Sequence, residues 1–135
     1  MDLFLWEILF IFVSVNKKKI MENLLTLYNA GFALALMVTL MLVKSVIGKL
    51  SGTTEMVQNF DFMRLQKYTV LVGLSELVAV VLLFVPGYSL YGAVLLACIM
   101  SGATALHLSL MGGNKVTLPV VIGVLGVLSH VLRTL

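Results

Sequence analysis

The chain contains four apolar runs, each long enough to cross a lipid bilayer, with only short polar breaks between most of them. They extend roughly from Leu24 to Ile47, Tyr68 to Val85, Tyr88 to Leu110 and Val116 to Leu132. About 20 apolar residues in a helix cross the hydrocarbon core. Backbone polar groups in lipid find no water, so a span must satisfy its own, and these runs are far too long for barrel strands. Composition agrees, with 61% of residues hydrophobic and 11% charged, against about 25% charged in a soluble domain. In 135 residues there is too little polar sequence to wrap so apolar a core. The sequence therefore reads as all-α, a membrane four-helix bundle.

The breaks fit that plan. Pro86-Gly87 is a tight turn between the second and third spans, because Pro presets the turn dihedral and Gly accepts positive φ. Met111 to Lys115 (MGGNK) turns between the third and fourth. Tyr28, Tyr68, Tyr88 and Tyr91 fall near span ends, where an aromatic belt belongs. Gly48 to Lys67 is the one sizeable polar region. It is expected to lie along the membrane surface, with Met56, Val57, Phe60 and Phe62 dipping into the interface.

The start of the chain fits less well. Leu3 to Val15 is a 13-residue apolar run that contains Glu7 and falls short of a span. It also lacks the basic start and small-residue cleavage site of a secretory signal. One reading makes residues 1–20 an extension upstream of a native start at Met21, so that 21–135 form the four-helix domain. The other makes them a short interfacial helix anchored by Lys17, Lys18 and Lys19. Orientation follows this choice. Lys44, Lys49, Arg64, Lys67 and Lys115 lie on the long-loop side, opposed by Arg133 alone or by Arg133 and the three lysines. The first count places the long loop in the cytoplasm, and the second leaves orientation open.

The net charge of +3 is small and its basic residues lie between apolar runs. They suit anionic headgroups rather than nucleic acid. Cys98, the one cysteine, excludes a disulfide framework or a cysteine metal site within a single chain. No nucleophile elbow, phosphate loop or metal-ligand spacing occurs, so no catalytic residue and no metal site is assigned. The eight methionines read as flexible gap-fillers or lipid-facing residues.

Because apolar side chains gain little by leaving lipid for one another, close packing has to hold such a bundle. The third span offers Ala93, Ala97, Ser101, Ala105 and Ser109 every four residues, with Gly92 and Gly102 beside them, and is expected to supply the seam. Gly123 and Gly126, Gly73, Ser75 and Ala79, and Ala30, Gly31, Ala33 and Ala35 are the small residues of the other spans.

Between Val70 and Val85 the only charged residue is Glu76. It lies eight residues past Tyr68, about 12 Å into its helix, and helical side chains lean toward their own N-terminus. Glu76 thus leans toward the long-loop side, over Gly73. The antiparallel third span reaches the same level near Gly102, with His107 closer to the loop. Lys49 ends the first span there, and Arg64 and Lys67 precede the second. Glu76, His107 and one or two of these cations are expected to converge at one mouth of the bundle. Lys49 taken alone reads as a headgroup anchor, and His130 sits at the opposite end. Ionisable residues within a membrane mark a functional site by default.

At these residues the sequence resembles the DoxX-like family of small four-helix membrane proteins. The likeness begins at Gly48 to Gly52 (GKLSG), continues through VGLSELVAVVLLFVPGYSLYGAVLL with its Gly-x-x-Glu helix, and ends at IMSGATALHLSL with its Gly-Ala-x-x-x-His pattern. It covers about Leu24 to Leu135 and carries over Lys49, Gly73, Glu76, Gly102, Ala103 and His107. The resemblance implies a helix bundle of the cytoplasmic membrane of a bacterium, in a family connected with membrane quinone and sulfur-compound oxidation. Some members are associated with oxidative-stress complexes, and distant animal relatives are assembly chaperones for receptor channels.

The leading expectation is an accessory bundle without catalytic activity as an isolated chain. Glu76, His107 and Lys49 would hold a quinone-like or other small amphipathic ligand, or a partner's helix. Gly73, Gly102, Ala103, Ala97 and Ser101 would pack the helices. The competing expectations are a subunit of a membrane oxidoreductase complex acting on the quinone pool, and a membrane-protein assembly factor. A transporter ranks last, since no inverted repeat is visible. The expected partners are the lipid bilayer and a membrane or redox complex, with homo-oligomerisation open and quinone the one cofactor considered.

Overall fold

Every apolar run folds as a helix. The last three begin and end within a residue or two of the expected positions, whereas the first starts far earlier and ends four residues later. The computed structural model describes residues 2–135. Its helices are α1 (Asp2–Ser51), α2 (Thr54–Phe62), α3 (Thr69–Phe84), α4 (Ser89–Leu110) and α5 (Thr117–Thr134), with a 3-10 turn at Gln66–Tyr68 before α3. No strand occurs among the described residues. α1, α4, α5 and the turn-plus-α3 segment are each long and apolar enough to cross a membrane.

These four close into a ring in which α1 packs on α3 and α5, and α4 packs on the same two from the far corner. The tight turns make neighbours antiparallel. One end of the bundle therefore carries α2, the start of α3 and the α4–α5 turn, and the other carries the α3–α4 turn and the end of α5. Each helix buries one narrow stripe at helical spacing. On α1 it is Gly31, Ala35, Val38, Leu42, Val46 and Lys49; on α3 Thr69, Gly73, Glu76, Ala79, Val80 and Leu83; on α5 Pro119, Ile122, Gly126 and Ser129. Leu83, Leu96 and Val38 are fully buried at its centre, and the outward faces of all four helices are apolar, as lipid requires.

α4 departs from the pattern. Its buried residues are Gly92, Ala93, Leu96 and Met100, and none lies beyond Met100 although the helix continues for ten residues more. The expected seam of small residues is correspondingly lost. Ala93 is buried and Ala97 half-buried, but Ser101, Ala105 and Ser109 are exposed. A step of four residues overshoots the 3.6-residue turn by about 40°, so four such steps rotate the ridge by about 160° around the helix. A row that begins against α3 and α5 therefore ends facing outward. The close approach falls instead at Gly92, where an added Cβ would lie 2.6 Å from the Leu83 nitrogen and 2.8 Å from the Ala79 oxygen.

Two further expectations change. Residues 2–20 form no separate interfacial helix; they continue α1 without a break. The segment NKKKIMEN holds no Pro or Gly, and Lys, Met and Glu are good helix formers, so nothing local ends the helix. From Asp2 to Ala30 no residue is buried and only Leu27 is half-buried; the first buried residue is Gly31. Within the long loop, Phe60 of α2 is buried and Met56 and Val57 are half-buried, whereas Phe62 is exposed. Part of the loop's apolar face is thus turned into the bundle.

These packing differences predict opposite outcomes for two glycines of one helix. Gly92→Ala should destabilise the protein by about 1–3 kcal/mol, because its methyl meets backbone of α3. Gly102→Ala, with nothing within 4 Å of the new Cβ, should be neutral or stabilising by up to about 1 kcal/mol. Reversible unfolding in mixed micelles measures both.

Candidate functional site

At the α2 end of the bundle two opposite charges are buried together. Lys49 is 7% exposed and Glu76 2%. The Lys49 ammonium donates to Glu76 Oε1 at 2.5 Å and to Ser45 Oγ at 2.8 Å. The local sequence explains why this pair forms. Ser45 and Lys49 are four residues apart and so share a face of α1. Gly73, one turn before Glu76, lets α1 lie close: a Cβ there would come within 2.9 Å of Lys49 Cβ. Lys49 also ends α1, where a cation meets the negative end of the helix dipole. Its ammonium lies 5.9 Å from the centre of the Phe60 ring on α2, a cation–π distance. Lys49 is thus turned into the protein, not outward to headgroups.

The pair is only partly satisfied. Glu76 Oε2 is buried without a hydrogen-bond partner, and so is His107 Nδ1 on α4. Both residues line one cavity of about 560 Å³ at this end of the bundle. Ser45 and Lys49 of α1, Val72 and Ser75 of α3, Gly102 and Ala103 of α4, and Leu118 and Pro119 of α5 contribute to its walls. Met56, Asn59 and Phe60 of α2 cover it. The cavity explains why α4 buries nothing beyond Met100, since Gly102, Ala103, Leu106 and His107 face space rather than a neighbour's side chains. Leu71 and Cys98, both exposed, belong to the same lining, and they mark a side opening between α3 and α4.

Lys49, Glu76, His107, Gly102 and Ala103 are therefore gathered around one space. Gly73 sits at the α1–α3 contact, and Ala97 and Ser101 lie outside this cavity in an open groove between α4 and α5. Arg64 is exposed, and Lys67 is exposed with its ammonium 5.0 Å from the Tyr68 ring; neither pairs with Glu76. Sequence reasoning missed Ser45 and the covering role of α2. The first was available from its i−4 spacing to Lys49, and the second from the apolar spacing of Met56 and Phe60. His130 belongs to the opposite end, where its Nδ1 lies 2.8 Å from Ser89 Oγ and joins α5 to the start of α4. No group of three or more His, Cys, Asp or Glu residues able to hold a metal occurs among the described residues.

Four membrane-length helices enclosing a buried ion pair at one end define an integral membrane bundle with a polar internal pocket. The chain belongs to the DoxX-like family, whose sequence model matches residues 33–129. That span contains Lys49, Glu76 and His107, all of α3 and α4, and the greater part of the packed stretches of α1 and α5. No curated protein and no solved structure matches the chain.

The ion pair generates a non-additive prediction. Lys49→Met or Glu76→Leu alone leaves an unpaired buried charge and should destabilise the protein by about 3–5 kcal/mol. The double substitution should lose far less than the sum, because no charge remains to be stranded. A double-mutant cycle by unfolding in micelles measures the coupling, and simple additivity would mean that the two groups do not depend on each other.

Proposed function

We propose that this membrane protein is an accessory bundle, without catalysis of its own, that holds a small amphipathic ligand in the cavity beneath α2. The ligand's polar head would meet Glu76, His107 and Lys49. Its apolar body would lie against Met41, Ile99, Leu106 and Leu118, which line the same space. One observation carries the reading: two buried polar atoms without partners, Glu76 Oε2 and His107 Nδ1, border a single cavity in an otherwise apolar protein. Such atoms are costly to leave unpaired, and a cavity of this size falls within the range of small-molecule sites, about 300–1,000 Å³.

A quinone-like molecule, the ligand class that the family resemblance suggests, suits both the volume and the apolar walls. The membrane would be the cytoplasmic membrane of a bacterium. A role as subunit of a quinone-linked oxidoreductase is compatible with the same cavity, but it requires a redox partner to exchange electrons with the bound molecule.

Native mass spectrometry from mild detergent, with and without an added short-chain alkyl quinol, the reduced and hydroxyl-bearing form of a quinone-like molecule, tests the proposal. The expected spectrum contains the chain with one small-molecule adduct, copurified or added. Gly102→Leu should remove that adduct while the thermal unfolding midpoint stays close to wild type, since its side chain would fill the cavity and Gly102 has no close neighbour to displace. An adduct-free wild type in both samples, or equal adducts on wild type and Gly102→Leu, would refute the assignment.

A further inference from the structure

We infer that the cavity selects a neutral, lipid-soluble ligand whose head carries a hydroxyl group, as the reduced form of a quinone-like molecule does, over its ether or carbonyl counterpart. The inference rests on the proposed binding role and names the ligand chemistry that this role requires.

Charge gives the first constraint. Lys49 and Glu76 already neutralise each other, and the other charged groups of the lining, Lys44, Glu55 and Lys115, are exposed at its rim. A charged head beside the buried pair would thus bring an uncompensated charge to a depth where charges are costly. The head is therefore neutral. Hydrogen bonding gives the second. Glu76 Oε1 is engaged by the Lys49 ammonium, which leaves Oε2 as an acceptor with nothing donating to it. A carboxylate paired with an ammonium offers only lone pairs. An ether or carbonyl oxygen placed there would set acceptor against acceptor. A hydroxyl donates to Oε2 and keeps lone pairs for a donor. His107 Nδ1, also buried and unpartnered, supplies that donor in the tautomer that carries its proton there. A hydroxyl thus answers the orphaned Oε2, with His107 on the same cavity wall, whereas an acceptor-only head leaves Oε2 unpaired.

Access gives the third constraint. Leu71 and Cys98 are exposed on the outer faces of α3 and α4 while lining the cavity. The cavity is also rimmed at the loop end by the exposed Lys44, Glu55 and Lys115, but the opening between α3 and α4 lies within the span of two membrane helices and gives a lipid-dissolved ligand a direct entry. A molecule that partitions into lipid and carries a single neutral hydroxyl on an apolar body meets all three constraints.

The test uses a matched pair, a 4-alkylphenol and its methyl ether, the 4-alkylanisole, on the full chain in detergent. Cys98, the only cysteine, reports occupancy of the opening through its rate of labelling by N-ethylmaleimide, and native mass spectrometry counts bound molecules. The phenol should bind at least about tenfold more tightly than the anisole, as expected when a buried acceptor is left unpaired, and should slow Cys98 labelling at lower concentration. In Glu76→Gln the preference should collapse, because an amide both donates and accepts. If that variant does not fold, the wild-type comparison decides alone. Equal binding of the two compounds, or preference for the anisole, overturns the hydroxyl selection while leaving the binding role intact. Failure of both to bind, with Cys98 labelled at an unchanged rate, overturns the binding role as well.

Discussion

The Lys49–Glu76 ion pair is the interaction on which the loop end of this bundle depends. Either charge alone inside a membrane bundle would be expensive; together, with Ser45 beside them, they join α1 to α3 at 2.5 Å. The pair needs three sequence features at once. Gly73 allows the α1 backbone to approach, Lys49 stands in the last turn of α1, and Phe60 of α2 lies near the ammonium. Because the lysine consumes one carboxylate oxygen and leaves the other, the interaction that ties the helices also creates the unsatisfied polar face of the cavity. Stability and site are thus two consequences of one contact.

The bundle is packed unevenly, and the unevenness has a direction. Toward the α3–α4 turn, Gly92 brings α4 against the backbone of α3, while Leu83 and Leu96 are fully buried. Toward α2 the same two helices stand apart, Gly102 meets nothing within 4 Å, and the volume between them stays open. A membrane bundle held by close packing can tolerate such a gap only if its tight end is sufficient. The buried Val38 and Leu42 of α1, with Ala79, Val80 and Leu83 of α3, provide that.

Most of the architecture was legible in the sequence, because lipid imposes a single criterion that apolar run length reports directly. The turn at Pro86-Gly87 and the level of Glu76 against Gly102 and His107 followed from local rules. That a cation would meet Glu76 followed from the same levels, but which of Lys49, Arg64 and Lys67 does so did not, because a lone lysine at a span end reads as a headgroup anchor until the helix across from it is known. The ridge from Ala93 to Ser109 misled because spacing by four drifts around the helix, so identity of spacing is not identity of face. The spacing of Met56 and Phe60 signals an apolar face on the nine-residue α2, but whether that face meets the lipid interface or covers the bundle depends on tertiary contacts. The continuation of α1 through residues 2–20 shows the reverse: local propensity carried the helix on where membrane length alone suggested a boundary.

The central claim is that Lys49 and Glu76 are in direct contact inside the bundle when it sits in lipid. Solid-state NMR of the protein in bilayers, with 15N-labelled lysine and 13C-labelled glutamate, tests it through the dipolar coupling between the Lys49 ammonium nitrogen and the Glu76 carboxyl carbon. A strong coupling that disappears in Lys49→Met is the result expected of a contact pair. A wild-type spectrum without that coupling would contradict the account, since it would leave Glu76 without its cation and the cavity without its organising contact.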